Sequence, residues 1–157
     1  MAHLAVDAWE SLLRAQVSLM KEFAEDFRGA TVSMQEYDVL YTLTGCPDGR
    51  SRLRDLADHV RLSQPGLSRL VERMEVDGLV GRERDPQDGR GTLVALTERG
   101  REAQRAVGRV HAASIVARVT GSLTSAEQRE LARLCTKLRE GGSGRRPSDR
   151  AVGSSAS

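Results

Sequence analysis

Apolar residues recur at i, i+3, i+4 and i+7 in two neighbouring blocks, Leu53, Leu56, Ala57, Val60 and Leu67, Leu70, Val71, Met74. Each block makes one apolar stripe along a helix. Little chain separates them, with Arg61 and Leu62 as the connector, so the two helices must cross sharply and share a core. Ser51 and Ser63 stand where N-caps belong, because a hydroxyl there can accept an orphan N–H of the first turn. Pro65 is tolerated just inside the second helix, where N–H groups have no helical partner. Gly78 after Asp77 supplies the stop, being suited to a left-handed C′ position. Two short runs, 79–84 and 92–97, then read as paired strands from their β-branched and aliphatic residues. The stretch between them, from Asp85 through Pro86, Asp88, Gly89 and Arg90 to Gly91, is rich in turn formers.

The flanks are helical. Residues 4–27 predict a long first helix with a seam of Val6, Trp9, Leu13, Met20, Phe23 and Phe27, interrupted by Gln16 and ended by Gly29. Ser33 and Glu36 form a capping-box pattern for the next helix, whose core face is Val39, Leu40 and Leu43. Residues 44–50 read as a loop. After the strands, a helix is expected from Thr97 and Glu98 to about Thr120, with dilute apolar positions at Val107, Val110, Ile115, Val116 and Val119. Thr124 and Glu127 form a second capping box, opening a last helix with the stripe Leu131, Leu134, Cys135, Leu138. Residues 141–157 have almost nothing apolar and predict a disordered tail behind a single domain, 1–140.

Composition sharpens this picture in two places. Aromatic content is 3%, so Ala, Leu and Val must do most of the packing, and helices with a thin seam are expected to finish their burial against a second subunit. The net charge of +2 says little about partners. Its distribution says more: Arg50, Arg52, Arg54, Arg61, Arg69, Arg73, Arg82, Arg84 and Arg90 all fall in or beside the central stretch. A local basic footprint suits phosphate contact. The plainer alternative is that Arg is simply the preferred cation here, since Lys occurs only as Lys21 and Lys137.

Other functional classes find little support. No run approaches the roughly 20 apolar residues of a membrane span, and the first residues lack a signal-peptide pattern, so a cytoplasmic protein is expected. His3, His59 and His111 are scattered, and no nucleophile, phosphate loop or metal-ligand spacing accompanies them. No enzyme, cofactor or metal is expected. Cys46 and Cys135 form no motif; Cys135 falls on an apolar stripe and reads as an inert core residue.

The outer face of the second central helix carries the candidate chemistry. Opposite the stripe lie Pro65, Ser68, Arg69, Glu72 and Arg73, with Gln64 on the shoulder near the helix start. Arg suits guanine and Gln suits adenine, as a groove-reading helix requires. By itself this face also fits an ordinary surface helix.

Taken in order, S-Q-P-G-L-S-R-L-V-E-R-M-E-V-D-G-L-V-G-R, then D-P-Q-D-G-R and V-A-L-T-E-R-G, resembles the MarR family of bacterial transcription regulators. The resemblance runs from about Met34 to Gly100. It implies a mainly α fold with a small β-wing: a winged helix-turn-helix at 33–100, with dimerisation helices at 4–27 and 103–140. It also implies double-stranded DNA as a partner, a homodimer on a near-palindromic operator, and a ligand-responsive repressor. Carried onto matching positions, Ser63, Gln64, Pro65, Ser68 and Arg69 are candidates for the groove and Arg73 for a phosphate, while Arg82 and Arg84, in the basic footprint, are further DNA-binding candidates. Asp88 and Arg90 match the wing pattern in which Arg enters the minor groove and Asp steadies it. Gly89 departs from it, since many relatives have a basic residue there. A small aromatic or phenolic effector would sit among Trp9, Tyr37, Asp38, Tyr41 and His111. Two alternatives stay open: an oxidant sensor acting through Cys46, and a winged helix used for protein contact.

Overall fold

A computed structural model describes residues 2–60, 62–85 and 91–141; of Ala2, only the backbone is described. The chain divides into two compact units, the first up to Ile115 and the second from Val116.

Helix α1, Ala2–Phe23, opens the first unit. It was expected to reach residue 27, but a tighter 3-10 turn, Ala24–Phe27, replaces its last turn, and Gly29 then takes a left-handed φ of 71°. Helix α2, Met34–Thr44, starts as the sequence predicts. The Ser33 hydroxyl accepts the Glu36 N–H, and the Glu36 carboxylate accepts the Ser33 N–H at 2.7 Å.

The next segment departs from expectation. Residues 44–50 are not a plain loop: a 3-10 turn, Pro47–Gly49, leads into strand β1, Arg50–Arg52. Ser51 is therefore a strand residue rather than a helix cap, paired with Val94. Helix α3, Leu53–Ala57, has Arg52 at its N-cap position with no side-chain cap. Three residues are too short for an alternating pattern to announce a strand, so backbone pairing with the hairpin decides it. Val60 lies beyond α3 yet is buried, its N–H bonded to the Leu56 carbonyl at 3.0 Å. Within the short connector, Arg61 lies outside the described residues.

Helix α4, Gln64–Val76, is capped by Ser63, whose hydroxyl accepts the Gly66 N–H at 3.3 Å, with Pro65 in the first turn. Asp77 caps its C-terminus, and Gly78 follows with φ 70°, the left-handed geometry expected of it. Strands β2, Val80–Arg84, and β3, Thr92–Leu96, pair antiparallel, Val80 with Leu96 and Arg84 with Thr92. With β1 they form a three-stranded sheet in the order β1-β3-β2.

The core of this unit joins the predicted stripes of α2, α3 and α4 to the hairpin, whereas Val6, Trp9 and Leu13 of the predicted α1 seam and Val110 and Ile115 of the helix that follows the hairpin are exposed. Leu40, Leu43, Leu56, Leu67, Val71, Met74 and Val94 are fully buried. Each large side chain removed from water in this way contributes about 1.5–3 kcal/mol. Helix α5, Glu98–Thr120, is fixed at its start by Thr97, whose hydroxyl donates toward the Gly78 and Leu79 carbonyls and accepts the Gly100 N–H at 3.0 Å. Gly100 is required there: a Cβ would stand 2.1 Å from the Leu79 carbonyl oxygen.

In the second unit, helix α6, Ser125–Gly141, begins at the predicted Thr124–Glu127 capping box. It has no buried residue, and Leu131, Leu134 and Leu138 are exposed. Cys135 is likewise exposed, which corrects its reading as a core residue: the stripe is apolar, but within this unit no described residue buries it. The expected tail beyond Gly141 lies outside the described residues. None of the described helices is long and apolar enough to cross a membrane.

Candidate nucleic-acid interface

Burial of Leu67, Leu70, Val71 and Met74 fixes the rotation of α4 about its axis. Ser63, Gln64, Pro65, Arg69 and Arg73 are consequently exposed, and Ser68 is half-buried at the edge of the stripe. The face expected from the sequence to read a groove is therefore presented intact. Among the described residues Arg69 and Arg73 make no ion pair, and a guanidinium in that position has the donor geometry that suits phosphate or base edges.

Arg84 is exposed at the end of β2. Arg82, also expected among the DNA contacts, is engaged within the protein: its Nε lies 2.6 Å from Glu75 Oε2 and its Nη1 3.4 Å from Glu72 Oε1. At the root of the wing, Asp85 is 4% exposed and faces Arg52, with Oδ2 2.5 Å from Nε. The Asp85 N–H donates to the Gly91 carbonyl at 3.0 Å, closing the neck of the turn. Asp88 and Arg90 of the wing tip lie outside the described residues.

The expected effector residues are only partly brought together. Tyr37 is buried, with ring centroids 5.9 Å from Tyr41 and 5.5 Å from His111. Burial pushes the Tyr37 phenol above its ordinary value of 10.0, against a hydrogen bond to Gln104 that lowers it. Asp38 is half-buried, and Trp9 and Tyr41 are each 61% exposed. Sequence reading missed the groups that hold His111. Its Nδ1 lies 2.8 Å from Asp26 Oδ2, while the Ser114 hydroxyl donates to Asp26 Oδ1 at 2.7 Å. Phe23 and Phe27 pack on the same imidazole at 5.3 and 5.2 Å. Asp26 lies far from both partners in the chain, so no local spacing could signal the cluster. Cys46 is half-buried, and its thiol donates to the Thr42 carbonyl at 3.3 Å.

Comparison with known proteins agrees with this geometry. The MarR family profile matches residues 30–91. The HTH-type transcriptional repressor Rv2887 of Mycobacterium tuberculosis is 31% identical over 128 residues, covering 81% of this chain and 89% of the relative. The crystal structure of AbsC, a MarR family transcriptional regulator from Streptomyces coelicolor, is similar with a TM-score of 0.77 and 30% identity, covering 88% of this chain and 93% of that one. Sco3205, a MarR family regulator of the same organism solved in complex with DNA, has a TM-score of 0.77 and 29% identity over 91% of this chain and 92% of its own. A helix pair with an outward polar face that bears Gln64, Arg69 and Arg73, a wing beside it and this extent of similarity lead to one conclusion: the chain belongs to the MarR family and is a DNA-binding transcriptional regulator.

Proposed function

We propose that the protein is a homodimeric, ligand-responsive repressor that occupies a near-palindromic operator. The observation that carries this reading is the face of α4: Gln64, Arg69 and Arg73 are exposed opposite a fully buried stripe. In the reading, Ser63, Gln64, Pro65, Ser68 and Arg69 meet the major groove, and Arg73 and Arg84 hold phosphates. Arg90, steadied by Asp88, enters the minor groove, a role drawn from its sequence pattern.

Dimerisation is supported by uncovered apolar surface. On α1, Leu4, Val6, Trp9 and Val17 are exposed, and on α6 so are Leu131, Leu134 and Leu138. Exposed faces of this kind mark interaction sites. A symmetric pair would set two α4 helices about one DNA turn apart. An aromatic or phenolic effector contacting Tyr37, Tyr41 and His111, with Trp9 and Asp38 nearby in the reading, would release DNA by preferring a dimer whose two helices are spaced differently.

The test combines hydrodynamic mass with footprinting on a duplex that the wild-type protein selects from a random-sequence pool. A dimer protecting two half-sites one turn apart supports the reading. A monomer, or protection of a single half-site, contradicts it.

A further inference from the structure

The recognition helix carries an internal contradiction. Glu72 belongs to the same outward face as Arg69 and Arg73, and Glu75 follows within the next turn. Over α4 the two cations are matched by two carboxylates, so the helix has no net charge with which to meet phosphate. A carboxylate held close to a DNA backbone is repelled, and that repulsion is strongest where protein and DNA exclude water.

The structure resolves this through β2. The Arg82 guanidinium bridges both carboxylates, at 2.6 Å from Glu75 and 3.4 Å from Glu72. Its side chain is 34% exposed, less than that of Glu72 at 53%. The bridge also spans two elements, tying the wing's first strand to the outer side of α4. We propose that Arg82 is the internal counter-ion of the recognition helix, a positioning residue that neutralises Glu72 and Glu75, and not a phosphate contact. Arg69 and Arg73 are then the groups through which α4 presents positive charge. The wing strand and the helix hold one register, because both carboxylates close on the same guanidinium. This rests on DNA recognition by α4.

The experiment compares wild type, Arg82→Gln, Glu72→Gln/Glu75→Gln and the triple variant on the selected duplex over a salt series, with thermal melting alongside. If Arg82 is the counter-ion, its loss exposes two carboxylates and weakens binding about tenfold. The dependence on salt keeps its slope, because no phosphate contact is lost. The triple variant, with nothing left to neutralise, returns to near wild-type affinity. A phosphate contact gives the opposite result: the triple variant stays as weak as Arg82→Gln, and both lose about one unit of salt slope. That result overturns the proposal, as does an Arg82→Gln protein that binds like wild type. Should Arg82→Gln lower the melting temperature, the triple variant against wild type still decides, equal affinity supporting the counter-ion and weak binding opposing it. Wild type is the control for DNA recognition itself: failure to prefer any duplex overturns that reading, whereas differences among the variants bear on Arg82 alone.

Discussion

Asp26 Oδ2 stands 2.8 Å from His111 Nδ1, joining the turn after α1 to the middle of α5. The same carboxylate accepts the Ser114 hydroxyl, and both side chains of the Asp26–His111 pair are largely buried, at 12% and 14% exposure. Phe23, Phe27 and Tyr37 surround the imidazole, so the polar contacts sit inside an aromatic shell. A hydrogen bond in such surroundings matters chiefly through what its loss leaves unsatisfied.

Removing the acceptor should therefore be felt in stability. Asp26→Ala strands the His111 Nδ1 and the Ser114 hydroxyl, at a cost of about 1–3 kcal/mol. Thermal or urea unfolding measures this. Ser114→Ala, which leaves the His111 contact in place, should cost less.

Gly100→Ala should be more damaging. The added Cβ would lie 2.1 Å from a backbone carbonyl, so Leu79 or the start of α5 must shift. Overpacking of this kind costs about 1–3 kcal/mol or more. Because Thr97 ties the same turn to Gly78 and Leu79, the loss should appear as a lower melting temperature together with weaker DNA binding.

Tyr37 predicts a particular alkaline limb. Its folded phenol titrates above the ordinary 10.0 because burial disfavours the phenolate. Below that value both folded and unfolded chains keep the proton, and the contribution is fully present. Between the unfolded and the raised folded value the unfolded state holds fewer protons, so stability falls as pH rises. Tyr37→Phe should remove this limb from a plot of unfolding free energy against pH and leave the neutral region without a new slope.

The exposed stripe of α6 gives a prediction about assembly. Leu134→Glu with Leu138→Glu places two charges on a face that is already in water in the single chain. A monomer would tolerate them. A dimer using this face should dissociate, which sedimentation or light scattering reads directly, and operator binding should weaken with it.

The sequence carried the frame of α2, α4 and α6 well because the start of each has a local signature, whereas the Ser51 cap expected for α3 proved a strand residue. Ser33 with Glu36, Ser63 with Pro65, and Thr124 with Glu127 all place their helices correctly. The stripe of Leu67, Leu70, Val71 and Met74 likewise gave the rotation of α4, and with it the exposed face of the candidate site. What escaped notice depends on partners distant in sequence. Strand β1 exists because Arg50, Ser51 and Arg52 pair with β3 about 40 residues on, and three residues cannot show a period of two. The Asp26 cluster and the Arg82 bridge are side-chain contacts between separate elements, invisible to spacing. Cys135 was misplaced for the converse reason: its stripe is genuine, but a stripe does not say whether its cover lies in the same chain.

The most direct test of the central claim is binding of wild type and Arg69→Ala/Arg73→Ala to the selected duplex and to a scrambled one across a salt series. Wild type should prefer the selected duplex by about 10³-fold or more. The double variant should lose most of that preference, with Arg69 contributing about 1–3 kcal/mol of discrimination and Arg73 about one unit of salt slope. Equal binding of both duplexes by wild type, or a double variant that binds as wild type does, would contradict α4 as the DNA-reading element.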